Sequence, residues 1–213
     1  MSPVAPGPQA VFDPVAGPQG SGKSTFFPVA GRGYDAFNID DRRRALNGGS
    51  SRLIPDTVRR QAATEYEAFI KGHLRKRMSL SIEVTLAKEI TFKQAQKARK
   101  AGFRLQLTYV AAEIDKCIRR VANRLDRGGH GVPPEVIRET HAASLRNLAR
   151  ALAEFDIVQV YDNSREAGLD DDLVVLMPRL VLETQGGKAI FIAGNLPGWL
   201  KSALAGTDFQ PGS

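Results

Sequence analysis

Gly17 and Gly22 stand five positions apart, with Lys23, Ser24 and Thr25 directly after, in the run Gly17-Pro18-Gln19-Gly20-Ser21-Gly22-Lys23-Ser24-Thr25. This is the G-x-x-x-x-G-K-[ST] pattern of a phosphate-cradling loop. A triphosphate carries too much negative charge for one side chain, so successive backbone N–H groups must curl around it, and Gly17, Gly20 and Gly22 keep Cβ atoms out of the way. Lys23 is expected to reach the β and γ phosphates and Ser24 to offer its hydroxyl to Mg²⁺. Pro18, Gln19, Ser21 and Thr25 complete the cradle, and a helix opening after Gly22 would turn its positive end toward the anion. A surface turn that contains Gly-Lys-Ser by chance is the plain alternative.

The other half of a phosphoryl-transfer site needs an acceptor base, a grip on the acceptor and cations at the transferring group. A short strand, Ala36-Phe37-Asn38-Ile39, ends in Asp40-Asp41-Arg42. Ligands of open α/β sheets gather beyond the carboxyl ends of the strands, so Asp40 is assigned to chemistry, while Asp41 is expected to cap a helix starting at Arg42. Glu83 and Thr85 alternate onto one side of the strand 80–86 and suit a sugar or polyol; a solvated sheet face is the alternative. Glu65 and Glu67 fall on different faces of a helix from Asp56 to about Lys76. Arg119, Arg120, Arg124 and Arg127 precede the break Gly128-Gly129-His130-Gly131, with a further helix after it. A helix, a Gly-rich turn and a second helix, with arginines around the turn, have the form of a lid over a nucleotide. Asn163, in the polar run Asp162-Asn163-Ser164, is expected to meet a base or ribose.

These residues require strands alternating with helices. Val11, Phe12, Val15 and Ala16 form the strand feeding the loop; Pro14 within it calls for a late start or a bulge, since proline donates nothing to a sheet ladder. Pro28 should stop the helix after the loop within about a turn. Strands over 103–111 and 155–161 and a basic helix over 89–101 follow, giving a right-handed parallel α/β core with helices on both faces and a helical lid at about 113–153. Residues 1–8 read as a flexible N-terminal arm, 9–200 as a single P-loop kinase-type domain and 201–213 as a tail; 188–193 reads as an edge strand and 196–200 as a turn into a short helix.

The 213 residues suffice for one well-cored domain. With 30 Lys and Arg against 23 Asp and Glu the formal charge is +7, which suits anionic ligands. The arginines are dispersed rather than striped with aromatics, which argues against nucleic acid as partner. Cys117 is the single cysteine, so an internal disulfide is excluded, and its helical setting reads as a small buried hydrophobe. With no export signal and no apolar run of membrane-spanning length, a cytoplasmic protein is expected.

In order and spacing, the loop 17–25, Phe37-Asn-Ile-Asp-Asp-Arg42, Ile82-Glu-Val-Thr-Leu86, Gly102-Phe103, Arg120-Val-Ala-Asn-Arg124, Gly128-Gly-His-Gly-Val-Pro133, Ser144-Leu-Arg-Asn-Leu148 and Tyr161-Asp-Asn-Ser164 resemble the zeta-toxin family of P-loop kinases, over about residues 10–164. The resemblance implies ATP and Mg²⁺ as cofactors and transfer to a hydroxyl, in characterised members the 3′-hydroxyl of the amino sugar of UDP-N-acetylglucosamine. It implies Asp40 as base, Lys23 as loop lysine, and Glu67, Glu83 and Thr85, with Arg42 and His130, on the acceptor. Arg124, with Arg120, would stand at the transferring phosphate, and an antitoxin protein is admitted as partner. Ala87-Lys88 and His130 stand where the best-known members carry arginine, so another hydroxyl acceptor (a nucleoside or an antibiotic) stays open, as does an ATP-binding regulatory module without transfer.

Overall fold

A computed structural model describes residues 8–126, 132–165, 176–207 and 209. Strand β1 (Val11–Ala16) leads into the loop and a one-turn helix α1 (Lys23–Phe26). A 3-10 turn at Val29–Gly31, strand β2 (Asp35–Phe37) and helices α2 (Ile39–Leu46) and α3 (Asp56–Lys76) follow. Next come β3 (Leu80–Val84), α4 (Ile90–Lys100), β4 (Arg104–Ala111), α5 (Ile114–Asp126) and α6 (Pro134–Glu154). Strands β5 (Ile157–Asp162), β6 (Arg179–Gln185) and β7 (Lys188–Ile192) and helix α7 (Gly198–Leu204) complete the order.

The strands form one seven-stranded sheet in the order β2-β3-β1-β4-β5-β6-β7. The pairs from β2 through β5 are parallel, whereas β6 and β7 run antiparallel, so the sheet is mostly rather than wholly parallel. Two neighbouring strands joined by the tight Gly186–Gly187 turn can only be antiparallel. At the centre every residue of β1 is buried, so both faces of the sheet are covered there, as parallel strands require. The main core runs from Phe12, Leu80 and Ile82 through Leu105, Leu107 and Tyr109 to Val158 and Val160.

Four differences from the sequence expectations have local causes. β1 neither starts late nor bulges at Pro14: its pairing to β3 continues through Asp13 and Pro14, while pairing to β4 is skipped at those two residues and resumes in the same register. The missing N–H is absorbed as a gap on one side of the strand. Helix α2 begins at Ile39, not Arg42, and its cap is Asn38 rather than Asp41; the Asn38 side chain accepts from the amides of Asp40 and Asp41. Strand β3 ends at Val84, and Leu86, placed in that strand by alternation, adopts φ +59° with its carbonyl held by Asn147 Nδ2 at 2.8 Å. Helix α7 runs through Leu204, which packs into the core, so the packed structure reaches past residue 200. Its Trp199 Nε1 donates to the buried Asp162 at 2.9 Å. The short α1 ends at Phe26 ahead of Pro28, as its sequence requires. Arg127 and His130, and most of the arm at 1–8, lie outside the described residues.

Candidate active site

The loop between β1 and α1 is shaped by its glycines. Gly17 has φ +140°, and a Cβ there would stand 1.9 Å from the Val110 carbonyl oxygen of neighbouring β4. Gly22 caps α1 with φ +92°, and its Cβ would meet Asn163 Nδ2 at 2.3 Å. Both positions exclude any other residue. Ser21 N donates to Pro18 O at 3.3 Å, closing the turn. The Ser21 hydroxyl and Gln19 Oε1 are buried and carry no hydrogen bond, so the cradle holds polar atoms for which the protein supplies no partner. The helix after the loop is a single turn, too short to build much macrodipole, which leaves the loop amides to hold an anion.

Lys23 is 7% exposed and its Nζ donates to Pro18 O across the loop at 3.1 Å. Burial lowers its pKa; Glu83, Cys117 and Asp40 push it back up, and Arg124 lowers it further. A buried ammonium with one neutral acceptor favours an anionic partner. The same charges locate the site. Glu83 from β3, Asp40 from α2 and Arg124 from α5 are far apart in the chain and all act on the Lys23 ammonium.

Ser24 is exposed and donates from Oγ to Glu83 Oε1 at 3.0 Å; the other carboxylate oxygen, Glu83 Oε2, is buried without a partner. A hydroxyl and an unsatisfied carboxylate oxygen are hard donors suited to Mg²⁺. Among the described residues no group of three or more His, Cys, Asp and Glu could hold a metal. Thr85 lies just past the end of β3, where its Oγ1 accepts from Ala87 N at 3.4 Å.

Asp40 sits in the first turn of α2 with its side chain 77% exposed, and Arg43 Nη1 donates to its Oδ1 at 3.0 Å. Arg42 is paired through two hydrogen bonds with Glu65, which also accepts from Gln61 Nε2 at 3.0 Å. Glu65 thus joins α3 to α2 behind Asp40, while Glu67 is exposed on another face of α3. The spacing separated these two glutamates but offered no sign of which would meet Arg42, because that depends on how α3 lies against α2.

On α5, Arg124 is exposed and Arg120 is turned inward. Arg120 Nη2 donates to the Asn163 carbonyl at 3.0 Å, and its Nη1 is buried without a partner. Asn163 is committed to the protein: Nδ2 donates to Ser21 O at 2.8 Å and its amide to Ala111 O at 2.8 Å. Arg32, Asn38, Arg43 and Asn147 all support the site and were not singled out from sequence. Asn38 alone had a local signal, an Asx residue two positions before the charged run Asp40–Arg44.

A phosphate loop leaving the central strand of a mostly parallel sheet, with a carboxylate at the end of each of the two strands on one side, defines a P-loop kinase-like α/β fold. The chain belongs to the AAA domain family, whose model matches residues 15–151. No curated protein matches it. Among solved structures, the AvrRxo1-ORF1:ORF2 complex with ATP superposes with TM-score 0.62 at 16% identity, covering 86% of this chain and 60% of that one. The PezAT chromosomal toxin-antitoxin system of Streptococcus pneumoniae gives TM-score 0.55 at 18% identity, covering 96% and 86%. The Pnkp1/Rnl/Hen1 RNA repair complex gives 0.55 at 18%, covering 70% and 49%. The chain therefore spans three fifths of the AvrRxo1 chain it matches. Likeness at these identities concerns the fold, and no helix among the described residues is long and apolar enough to cross a membrane.

Proposed function

We propose that this protein is an ATP-dependent kinase that transfers the γ-phosphate to a hydroxyl of a small molecule. The observation that carries this is the meeting of separate elements at the phosphate loop: Glu83 at the end of β3 accepts from Ser24 Oγ at 3.0 Å, and Asp40 of α2 and Arg124 of α5 stand near enough for their charges to bear on the buried Lys23. A module that only bound nucleotide would need the loop but not a carboxylate and a guanidinium on the far side of it.

In this reading the loop amides from Gly17 to Ser24 hold the phosphates, and Lys23 leaves Pro18 O to lie against the β and γ oxygens. The Ser24 hydroxyl and Glu83 would hold Mg²⁺, which would supply charge neutralisation at the phosphates. Asp40 takes the acceptor hydroxyl proton, while Arg43 keeps its carboxylate turned by holding Oδ1. Arg124 stabilises negative charge as the bond to the leaving oxygen breaks, the role a cation at this place serves in phosphoryl transfer generally. By the zeta-toxin resemblance, Thr85, Arg42, Glu67 and His130 are assigned to the acceptor; His130 lies outside the described residues, and Arg42 would reach an acceptor only while held by Glu65.

For the acceptor, we take the amino-sugar hydroxyl of UDP-N-acetylglucosamine as the first candidate, supported by the zeta-toxin resemblance and by the fold shared with PezAT. The same likeness supports an antitoxin as partner, while a cytoplasmic setting is proposed from the sequence alone. Acceptor-dependent ADP release across a panel of UDP-sugars, nucleosides and aminoglycosides tests the reading. Asp40→Ala is expected to bind ATP as the parent does and to lose transfer by about 10²–10⁴-fold. Transfer at the parent rate would remove Asp40 as the base.

A further inference from the structure

The contacts of Asn163 suggest a role different from holding a base or ribose. The residue is 5% exposed, directly after β5, and three of its polar groups, the amide N–H, the carbonyl and Nδ2, are hydrogen-bonded within the protein. Its amide N–H donates to Ala111 O at the end of β4, its Nδ2 donates to Ser21 O in the phosphate loop, and its carbonyl accepts from Arg120 Nη2 on α5, at 2.8, 2.8 and 3.0 Å. One residue thus joins two strand ends, the loop and the lid-side helix. The packing around it is equally close: a Cβ on Gly22 would stand 2.3 Å from Nδ2, and one on Gly20 would stand 2.4 Å from the Cys117 carbonyl of α5.

We infer that Asn163 and Arg120 are positioning residues that fasten α5 to the phosphate loop, so that the conformation of the loop and the placement of Arg124 are set together. Arg124 lies four residues, about one helical turn, beyond Arg120 on α5. Its charge acts on Lys23 from that helix. Fixing Arg120 to the residue that also fixes Ser21 means that α5 cannot move away from the loop without breaking the part-buried Arg120–Asn163 hydrogen bond. Breaking it would take the donor from Asn163 O and leave an Arg120 guanidinium whose Nη1 already lacks a partner. The consequence for phosphate binding is direct. Asn163 Nδ2 takes up the Ser21 carbonyl, an acceptor that would repel an anion held by the neighbouring amides if it were left free. This inference builds on the reading of the loop as a nucleotide site, but the tie itself does not depend on it.

Hydrogen exchange of loop amides, measured without nucleotide, reads the tie directly. In Asn163→Asp a carboxylate oxygen replaces the donor opposite Ser21 O, and in Arg120→Ala the outer half of the tie is lost. Peptides covering residues 17–26 are expected to exchange about tenfold faster in both variants, with peptides from α4 unchanged. Arg120→Lys, which can still donate to Asn163 O, should restore most of the protection. Titration with ATP and Mg²⁺ on the same proteins should show affinity falling about tenfold in Asn163→Asp. Wild-type exchange rates over 17–26 in both variants would overturn the tie, as would an Arg120→Ala protein with unchanged exchange and weakened ATP binding, which would make Arg120 a ligand contact. Faster exchange in the variants together with no ATP binding by the wild type would support the tie and overturn the nucleotide reading. Should Asn163→Asp not fold, Arg120→Ala and its lysine counterpart decide alone.

Discussion

The Ser24 hydroxyl donates to Glu83 Oε1 at 3.0 Å, joining the first turn of α1 to the end of β3 across 59 residues of chain. The contact exists because β3 lies beside β1 in parallel, with Val15 opposite Glu83 and Ala16 opposite Val84. The loop that leaves β1 therefore begins level with the carboxylate. Glu83→Gln preserves an acceptor for Ser24 but removes the charge. Turnover is expected to fall about 10–100-fold with a higher Mg²⁺ requirement and an unchanged melting temperature. ADP release measured over a Mg²⁺ titration checks this; a variant with parental Mg²⁺ dependence would separate Glu83 from the metal.

The two glycines Gly17 and Gly33 separate crowding from backbone strain. Gly17→Ala meets the Val110 carbonyl at 1.9 Å as well as an unfavourable φ, whereas Gly33, with φ +76°, has nothing within 4 Å of an added Cβ. Gly33→Ala should cost about 1–2 kcal/mol, the strain alone. Gly17→Ala should cost more, at least ~3 kcal/mol, because β4 must shift. Urea unfolding of the two variants side by side tests the order, and equal losses would contradict the crowding argument.

Asp13 and Arg32 make a buried ion pair beneath the loop, bidentate at 2.8 and 3.0 Å, with the Asp13 side chain 1% exposed. Burial raises the Asp13 pKa, and the Arg32 hydrogen bond and charge oppose that rise without cancelling it. A carboxyl raised in the folded state binds its proton more tightly there than in the unfolded chain. Its contribution is thus favourable in acid and is lost as pH climbs through the folded value. Without the guanidinium this loss deepens. Arg32→Met is expected to destabilise by about 3–5 kcal/mol at pH 7 and by less near pH 4, because the raised pKa lets Asp13 take up its proton more readily as the pH falls. Melting curves at the two pH values check the sign; a penalty that is the same at both would mean that Arg32 acts by packing. The pair Asp13→Asn with Arg32→Met should recover most of the loss, since no buried charge remains.

Cys117 is buried on α5, its thiol donating to Ala112 O at 3.7 Å, and its pKa is pushed up to about 11, chiefly by burial. At pH 8 almost none of it is thiolate, and its access is closed. Iodoacetamide should leave the native protein unlabelled and modify one site in guanidinium. Rapid labelling of the native protein would show that α5 opens away from the loop.

The phosphate loop, the carboxylate at Asp40 and the alternation of elements were legible in the chain because each depends on short-range rules. Gly17 to Ser24 is a local pattern, Pro28 stops a helix wherever it occurs, and Val11, Phe12, Val15 and Ala16 mark β1, although its unbroken course through Asp13 and Pro14 was not legible. Other features were not legible because they depend on which elements become neighbours. Arg42 could have met Glu65 or Glu67, and the lie of α3 against α2 chose Glu65. Asn163 reads as a polar strand end suited to a ribose; the sheet order places it against Ser21, 142 residues earlier. Arg32 gave no sign of reaching back to Asp13 through the turn after α1.

What the amino-acid order determined by itself is thus the chemistry carried by the residues: a cradle for phosphate, a lysine, a hydroxyl, acidic groups at strand ends and arginines on a helix. What tertiary structure alone decided is their company. Strand order β2-β3-β1-β4-β5 sets the loop between Glu83 on one side and Asn163 with α5 on the other. Hydrogen bonds and buried charges act over only a few ångströms, and at that range position in the chain carries no information until the sheet has formed.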